Sequence, residues 1–274
     1  MSFYAILVPY YLGKARVANG AGPEALIGSG VLDGLDIQAT RTVQVELTAS
    51  NEIQQCIAID AALSRTIADL GEGAVPIVFS GNCHACLGTL SAARSATDIV
   101  WFDAHGDLNT PDTSITGYFD GMALSTALGW SWAELVKSIP GFSPRAERDV
   151  VLVGARDLDP QERVRLSQSQ IRHYAPPAMS AAGRDLQFAA AIASPSRRQA
   201  YVHLDLDVLD PSELPVNRFT VPDGVSIAWL EGALRTVREH CTIAAVGVSA
   251  YNPAYSAPPV AAPIVNRLLK ALLA

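Results

Sequence analysis

Short, nearly unbroken apolar runs alternate along this chain with longer segments whose apolar positions recur every three or four residues. The runs at 5–9, 75–80, 98–103, 150–154, 201–207 and 243–249 have the pattern of strands covered on both faces. The segments 51–70, 160–167, 227–240 and 260–273 read as amphipathic helices. Residues 51–70 stop before Gly71, and the helix at 160 opens on Pro160 just after Asp159, a capping residue type. Strand and helix in alternation require crossover connections, and so predict a mainly parallel sheet with helices on both faces. Loops rich in Pro and Gly are expected at 19–23, 109–121, 212–224 and 251–259. No repeat, low-complexity tract or linker interrupts the pattern, so residues 1–274 read as one domain.

Composition narrows the class. Apolar residues make up 49% and charged residues 17% of the 274, enough for a large core and unlike a disordered chain. Lys plus Arg number 20 against 27 Asp plus Glu, a net charge of −7, and no basic run appears, so a nucleic-acid partner is not expected. Four cysteines are too sparse for a disulfide scaffold and fit a reducing compartment. No stretch approaches the roughly 18–20 apolar residues of a membrane span. The first residues lack a basic region and read as a strand rather than a signal segment. The expectation is a cytoplasmic protein with no membrane partner.

The chemistry gathers where strands end, the usual ligand position in open α/β sheets. One strand runs into Asp103-Ala-His105-Gly-Asp107, and extended i, i+2, i+4 spacing would aim these three side chains together. Another ends in Asp205-Leu-Asp207, and His84 follows a third. Four carboxylates and two imidazoles thus converge. Crowded carboxylates resist burial without a counter-charge. One or two divalent cations would supply it: Mn²⁺ first for this oxygen and nitrogen set, with Fe²⁺, Co²⁺ or Zn²⁺ as alternatives. A lone Asp-x-Asp usually caps a turn, but the two motifs at two strand ends together favour a metal site. Cys83-His-Ala-Cys86 offers a redox pair or half a zinc site, yet no second Cys pair completes the latter, and both cysteines read more simply as packing in a turn and the start of a helix. His203, two residues before Asp205, reads as a core histidine or as support for the ligands.

The segments Gly20-Ala-Gly-Pro23, Gly81-Asn-Cys-His84, Asp103-Ala-His-Gly-Asp107, Asp205-Leu-Asp207 with Asp210-Pro211, and Asn252-Pro253 resemble the arginase/agmatinase (ureohydrolase) superfamily, in family order. The resemblance implies a three-layer α/β/α sandwich around the sheet. It implies two Mn²⁺ ions on His84, Asp103, His105, Asp107, Asp205 and Asp207, with Asp103 and Asp207 bridging. The reaction it implies is hydrolysis of a C–N bond in a linear amidine or guanidine by a metal-bridging hydroxide, which Asp107 would hold. By the same resemblance, Asn109 and Thr116 would contact a substrate α-carboxylate. Asp159, backed by Glu162, would hold an α-ammonium group. Asp120 would stand where the family carries a proton-shuttling His, and a homo-oligomer would be expected.

One departure bears on the substrate. Family members that bind guanidinium place a Glu three residues before the Pro of Asn-Pro; here that residue is Ala250. The expected substrate is accordingly arginine or a modified arginine such as N-hydroxyarginine, with Asp120, Glu213 or Asp223 as candidate replacements for the missing acid. Two other readings stay open: a non-catalytic member that binds metal or ligand, and an amide hydrolase or deacetylase on the same fold, with Tyr118 or Tyr251 stabilising the oxyanion.

Overall fold

A computed structural model describes residues 2–49, 51–175, 188–192 and 198–274. Its main sheet has eight strands, every neighbouring pair parallel. In chain order the strands of this sheet and a small hairpin are β1 (Ser2–Val8), β2 (Tyr10–Tyr11), β3 (Lys14–Ala15), β4 (Ile37–Thr42), β5 (Ala74–Ser80), β6 (Asp98–Phe102), β7 (Val150–Val153), β8 (Arg172–Tyr174), β9 (Arg198–Asp205) and β10 (Cys241–Ser249). The sheet order is β4-β1-β5-β10-β9-β6-β7-β8, while β2 and β3 pair with each other.

Alternate residues of the same strand feed opposite layers, which makes the protein an α/β/α sandwich. On one face Val75, Ile77, Phe79, Val100, Phe102 and Val151 pack with α1 (Gly22–Gly28) and with the helices Ile227–His240 and Pro258–Leu273. On the other face Val78, Ile99, Trp101, Val150 and Leu152 meet α2 (Glu52–Ala68) and α3 (Cys86–Ala92). Asn51 starts α2 by accepting from the Ile53 and Gln54 N–H groups, which otherwise lack helical partners.

All six expected strands and four expected helices are present within a few residues. The edge strands β4 and β8 escaped the pattern because β4 is largely exposed and β8 only half-buried, so neither carries a long apolar run. The 19–23 segment is no simple loop. It forms a 3₁₀ turn at Ala18–Ala21 that leads straight into α1. No helix among the described residues is long and apolar enough to cross a membrane.

The four central strands, β5, β10, β9 and β6, point their carboxyl ends the same way. Cys83, Ala250, Asp205 and Asp103 follow or finish those strands, and all four line one cavity of about 260 Å³.

Candidate metal centre

Two sets of donor atoms lie close enough together to hold ions. Cys83, Asp103, His203 and Asp205 form one, and Asp103, His105 and Asp207 form the other; within each set the atoms lie within 4.8 Å of one another. Asp103 belongs to both, as a bridging carboxylate must. It is 1% exposed; its Oδ1 accepts from the His105 N–H at 2.7 Å and its Oδ2 from Trp101 Nε1 at 3.0 Å.

Turns, rather than a continued pleat, bring these groups together. β6 ends at Phe102, and Asp107 has a left-handed φ of 50°, so the extended spacing expected from Asp103 through Asp107 does not hold. β9 ends at Asp205, where a 3₁₀ turn, Leu206–Val208, begins with the Asp205 side chain accepting from the Asp207 N–H at 2.9 Å. Asp107 Oδ2 is buried with no hydrogen-bond partner among the described residues. A buried, unpartnered carboxylate oxygen beside two further acidic groups is what a cation ligand looks like without its cation. The donor set therefore fits a pair of divalent ions.

His84 is the expected ligand that the fold sends elsewhere. It sits in the 3₁₀ turn Cys83–Ala85, outside both donor sets and outside the cavity lining. Its Nδ1 faces the Asp60 carboxylate of α2 at 3.1 Å, in a fully buried pair. Its neighbour Cys83 takes the place in the cavity: the Cys83 thiol donates to Asp205 Oδ2 at 2.9 Å. The expectation of an oxygen and nitrogen set, with Cys83 merely packing in a turn, is corrected accordingly. A thiol within hydrogen-bond distance of Asp205, and in the same donor set, gives that set a soft donor. Replacing Cys83 by Ser in cobalt-loaded protein should remove a near-ultraviolet thiolate-to-cobalt absorption band. An unchanged band would place the sulfur outside the metal shell.

His203 was open between two roles and stands against the site. It stacks on Trp101 with ring centroids 3.6 Å apart, bonds Tyr201 through Nδ1 at 2.9 Å, and reaches Ser249 through Nε2 at 3.2 Å. Burial pushes its pKa down to about 3, so it is neutral. Ser249 also approaches Asp205 at 3.4 Å, so a chain of hydrogen bonds ties His203 to that carboxylate.

The electrostatics are those of crowded, buried carboxylates. Burial first, then neighbouring carboxylates, raise the pKa of Asp103 to about 6 and those of Asp107 and Asp205 well above the usual range. Asp207 is the exception. Burial pushes it up, but His105 and the Asn217 amide outweigh that and hold it at about 2. His105 has the converse balance: burial opposes its charge, while Asp207 and Asp103 raise its pKa well above the ordinary value.

The remaining expected residues all line the same cavity. Asn109 donates to Asp159 Oδ2 at 2.9 Å, and Thr116 is exposed at the margin. Glu162 has both oxygens occupied, accepting from the Leu108 and Asp159 N–H groups at 2.9 Å each, so it holds the loop and the helix Pro160–Gln168 together. Asp120 is likewise engaged, taking hydrogen bonds from Asn82 Nδ2 at 2.6 Å and the His84 N–H at 3.0 Å. It fastens the turn that presents Cys83. Glu213 accepts from the Ile227 N–H, and neither it nor Asp223 lines the cavity, so neither replaces the missing acid. Arg156 donates to the carbonyls of Asp207, Val208, Leu209 and Val221 and pins the segment after Asp207. The cavity wall also includes Phe219, whose ring stands edge-on to His105 and against Tyr118.

Comparison with known proteins agrees with this geometry. The arginase family matches residues 9–273. An arginase of Bacillus caldovelox is 30% identical over 229 residues, covering 76% of each chain. An N(omega)-hydroxy-L-arginine amidinohydrolase of Streptomyces lavendulae is 34% identical over 164 residues, covering 59% of this chain and 55% of that protein. The crystal structure of arginase from Bacillus cereus superposes with a TM-score of 0.89 at 27% identity, over 99% of this chain and 97% of that one. With nearly its whole length matched and its strand-end donors gathered in one cavity, the chain belongs to the arginase family.

Proposed function

We propose that this protein is a binuclear metal-dependent hydrolase that cleaves a C–N bond of a linear amidine or guanidine in an amino-acid-like substrate, arginine or a modified arginine such as N-hydroxyarginine. The observation that carries the reading is the pair of donor sets sharing Asp103 at the floor of one cavity. The names of the similar proteins, arginase and N(omega)-hydroxy-L-arginine amidinohydrolase, support the substrate class.

Cys83, Asp103, His105, Asp107, Asp205 and Asp207 would hold two Mn²⁺ ions. When bound, such ions would lower the pKa of a shared water and make hydroxide available at neutral pH. The rest of the chemistry belongs to the side chains. Asn109 and Asp159, already joined by a hydrogen bond, would grip the amino-acid end of the substrate, with Thr116 at the margin. That anchors the reactive carbon above the floor and turns a bimolecular encounter into a positioned one. A new C–O bond forms as water adds, the C–N bond breaks, and the leaving nitrogen takes a proton. Asp107, which lines the cavity, would accept a proton from the attacking water and pass it to that nitrogen.

The test is product analysis by mass spectrometry with Mn²⁺ and L-arginine, N-hydroxy-L-arginine, agmatine and formiminoglutamate. The reading predicts ornithine with urea or hydroxyurea from the first two. No urea from these compounds, with acetate released from an added N-acetyl-lysine, would favour an amide hydrolase, and bound metal without any turnover would favour a binding role.

Proton linkage offers a second check that needs no substrate. Asp103 titrates near 6 in the folded, metal-free protein, above the ordinary carboxyl value. A raised carboxyl favours the metal-free fold at low pH and loses that contribution as pH rises through about 6. Mn²⁺ needs the carboxylate free of its proton. The rise in Tm on adding Mn²⁺ should therefore grow between about pH 5 and pH 8. A pH-independent rise would place the metal elsewhere.

A further inference from the structure

Besides Asp107, the cavity holds an uncharged polar side chain with no hydrogen-bond partner among the described residues. Asn19 is 5% exposed and lines the cavity, yet its carboxamide makes no hydrogen bond with the described residues. Its carboxamide is thus free to bond a molecule held in the cavity.

The frame around Asn19 is rigid. It lies in the 3₁₀ turn Ala18–Ala21, and Ala18 takes a left-handed φ of 46°. The turn is wedged between the ends of two central strands. A Cβ on Gly81, past β5, would lie 2.7 Å from the Gly20 nitrogen, and one on Gly22 would collide with the Tyr251 carbonyl, past β10. Both glycines permit backbone contacts that any side chain would block. The residue before Tyr251 is Ala250, which lines the same cavity and is also left-handed, at φ 66°. Two strained non-glycine residues thus flank one wall, the kind of strain that a well-packed functional site sustains.

We propose that Asn19 determines specificity at the nitrogen end of the substrate, forming with Ala250 an uncharged subsite that selects an N-hydroxyguanidine over a guanidinium cation. This rests on the hydrolase reading above. A carboxamide offers a donor and an acceptor together, the match for an N–OH group that does both. The electron-withdrawing oxygen makes that guanidine less basic, so it needs no carboxylate clamp. A guanidinium cation presents only donors, and half of the carboxamide would be left without a match.

The test measures kcat and KM for N-hydroxy-L-arginine and L-arginine on the Mn²⁺-loaded full chain, with metal content and Tm as controls of folding. Asn19→Ala should lower kcat/KM for N-hydroxy-L-arginine about tenfold or more, mainly through KM, and change that for L-arginine less than about threefold. Asn19→Asp, equal in size, should move the preference towards L-arginine by about tenfold or more. Equal losses on both substrates, or no change in either, in variants that keep metal content and Tm, would overturn the inference and leave the hydrolase reading intact. A wild type that hydrolyses neither compound would remove both.

Discussion

Asp103→Ala should empty both metal positions at once and lower turnover by about a thousandfold or more. Asp103 is the one donor shared by the two sets, so its loss cannot be confined to a single ion. Lewis-acid and nucleophile-generating effects of a metal pair are worth several kcal/mol, and each ~1.4 kcal/mol is tenfold in rate. The variant should still fold. Asp103 stands among carboxylates that repel it, as the upward shifts of Asp107 and Asp205 show. Removing one of several crowded charges offsets the hydrogen bonds it gave up to Trp101 and His105. The expected pattern is a metal-free Tm near that of the wild type, no Tm rise on adding Mn²⁺, no bound manganese by elemental analysis, and no product. Full activity with two manganese ions in this variant would remove the proposed centre.

Ala250→Glu should have the second largest effect, in the opposite direction. Ala250 is 5% exposed, and its carbonyl accepts from the Asn217 Nδ2 at 2.9 Å, so the backbone that presents it is held. The substitution keeps a Cβ at a left-handed position and adds a carboxylate to the cavity wall. A hydrogen bond to a charged group contributes about 1.5–3 kcal/mol. For L-arginine that corresponds to a gain in kcat/KM of roughly ten- to a hundredfold. N-hydroxy-L-arginine, less basic, should gain little. If the wild type already uses L-arginine efficiently and the Glu variant does not improve it, then Ala250 does not occupy the clamp position.

Much of this was legible along the chain, for a local reason. Strands such as 75–80 and 98–103 are covered on both faces, so apolar runs mark them, and the acids that close them stand out: Asp103 after β6 and Asp205 at the end of β9. What stayed hidden depends on contacts far apart in sequence. The order Cys83-His84 says nothing of which side chain enters the cavity. That choice is made by Asp60, 24 residues earlier on α2, which draws the imidazole away, and by the Asp120 hydrogen bonds that fix the turn. Asp107 converges by a left-handed backbone that no i, i+2 rule foresees. Asn19 sits in a Gly-rich stretch that reads as loop, and its packing depends on glycines near positions 22 and 81. Glu162 was expected behind the ammonium contact. Its carboxylate satisfies two backbone N–H groups, one of them that of Asp159, a role that helix-capping spacing from Asp159 does encode.

The most direct measurement is anomalous diffraction at the manganese edge from crystals grown with Mn²⁺. The account predicts two peaks a few ångströms apart, one among Cys83, Asp103 and Asp205 and the other among Asp103, His105 and Asp207. A map with no peak at Asp103, or with a single ion held by His84 and Asp60, would contradict it.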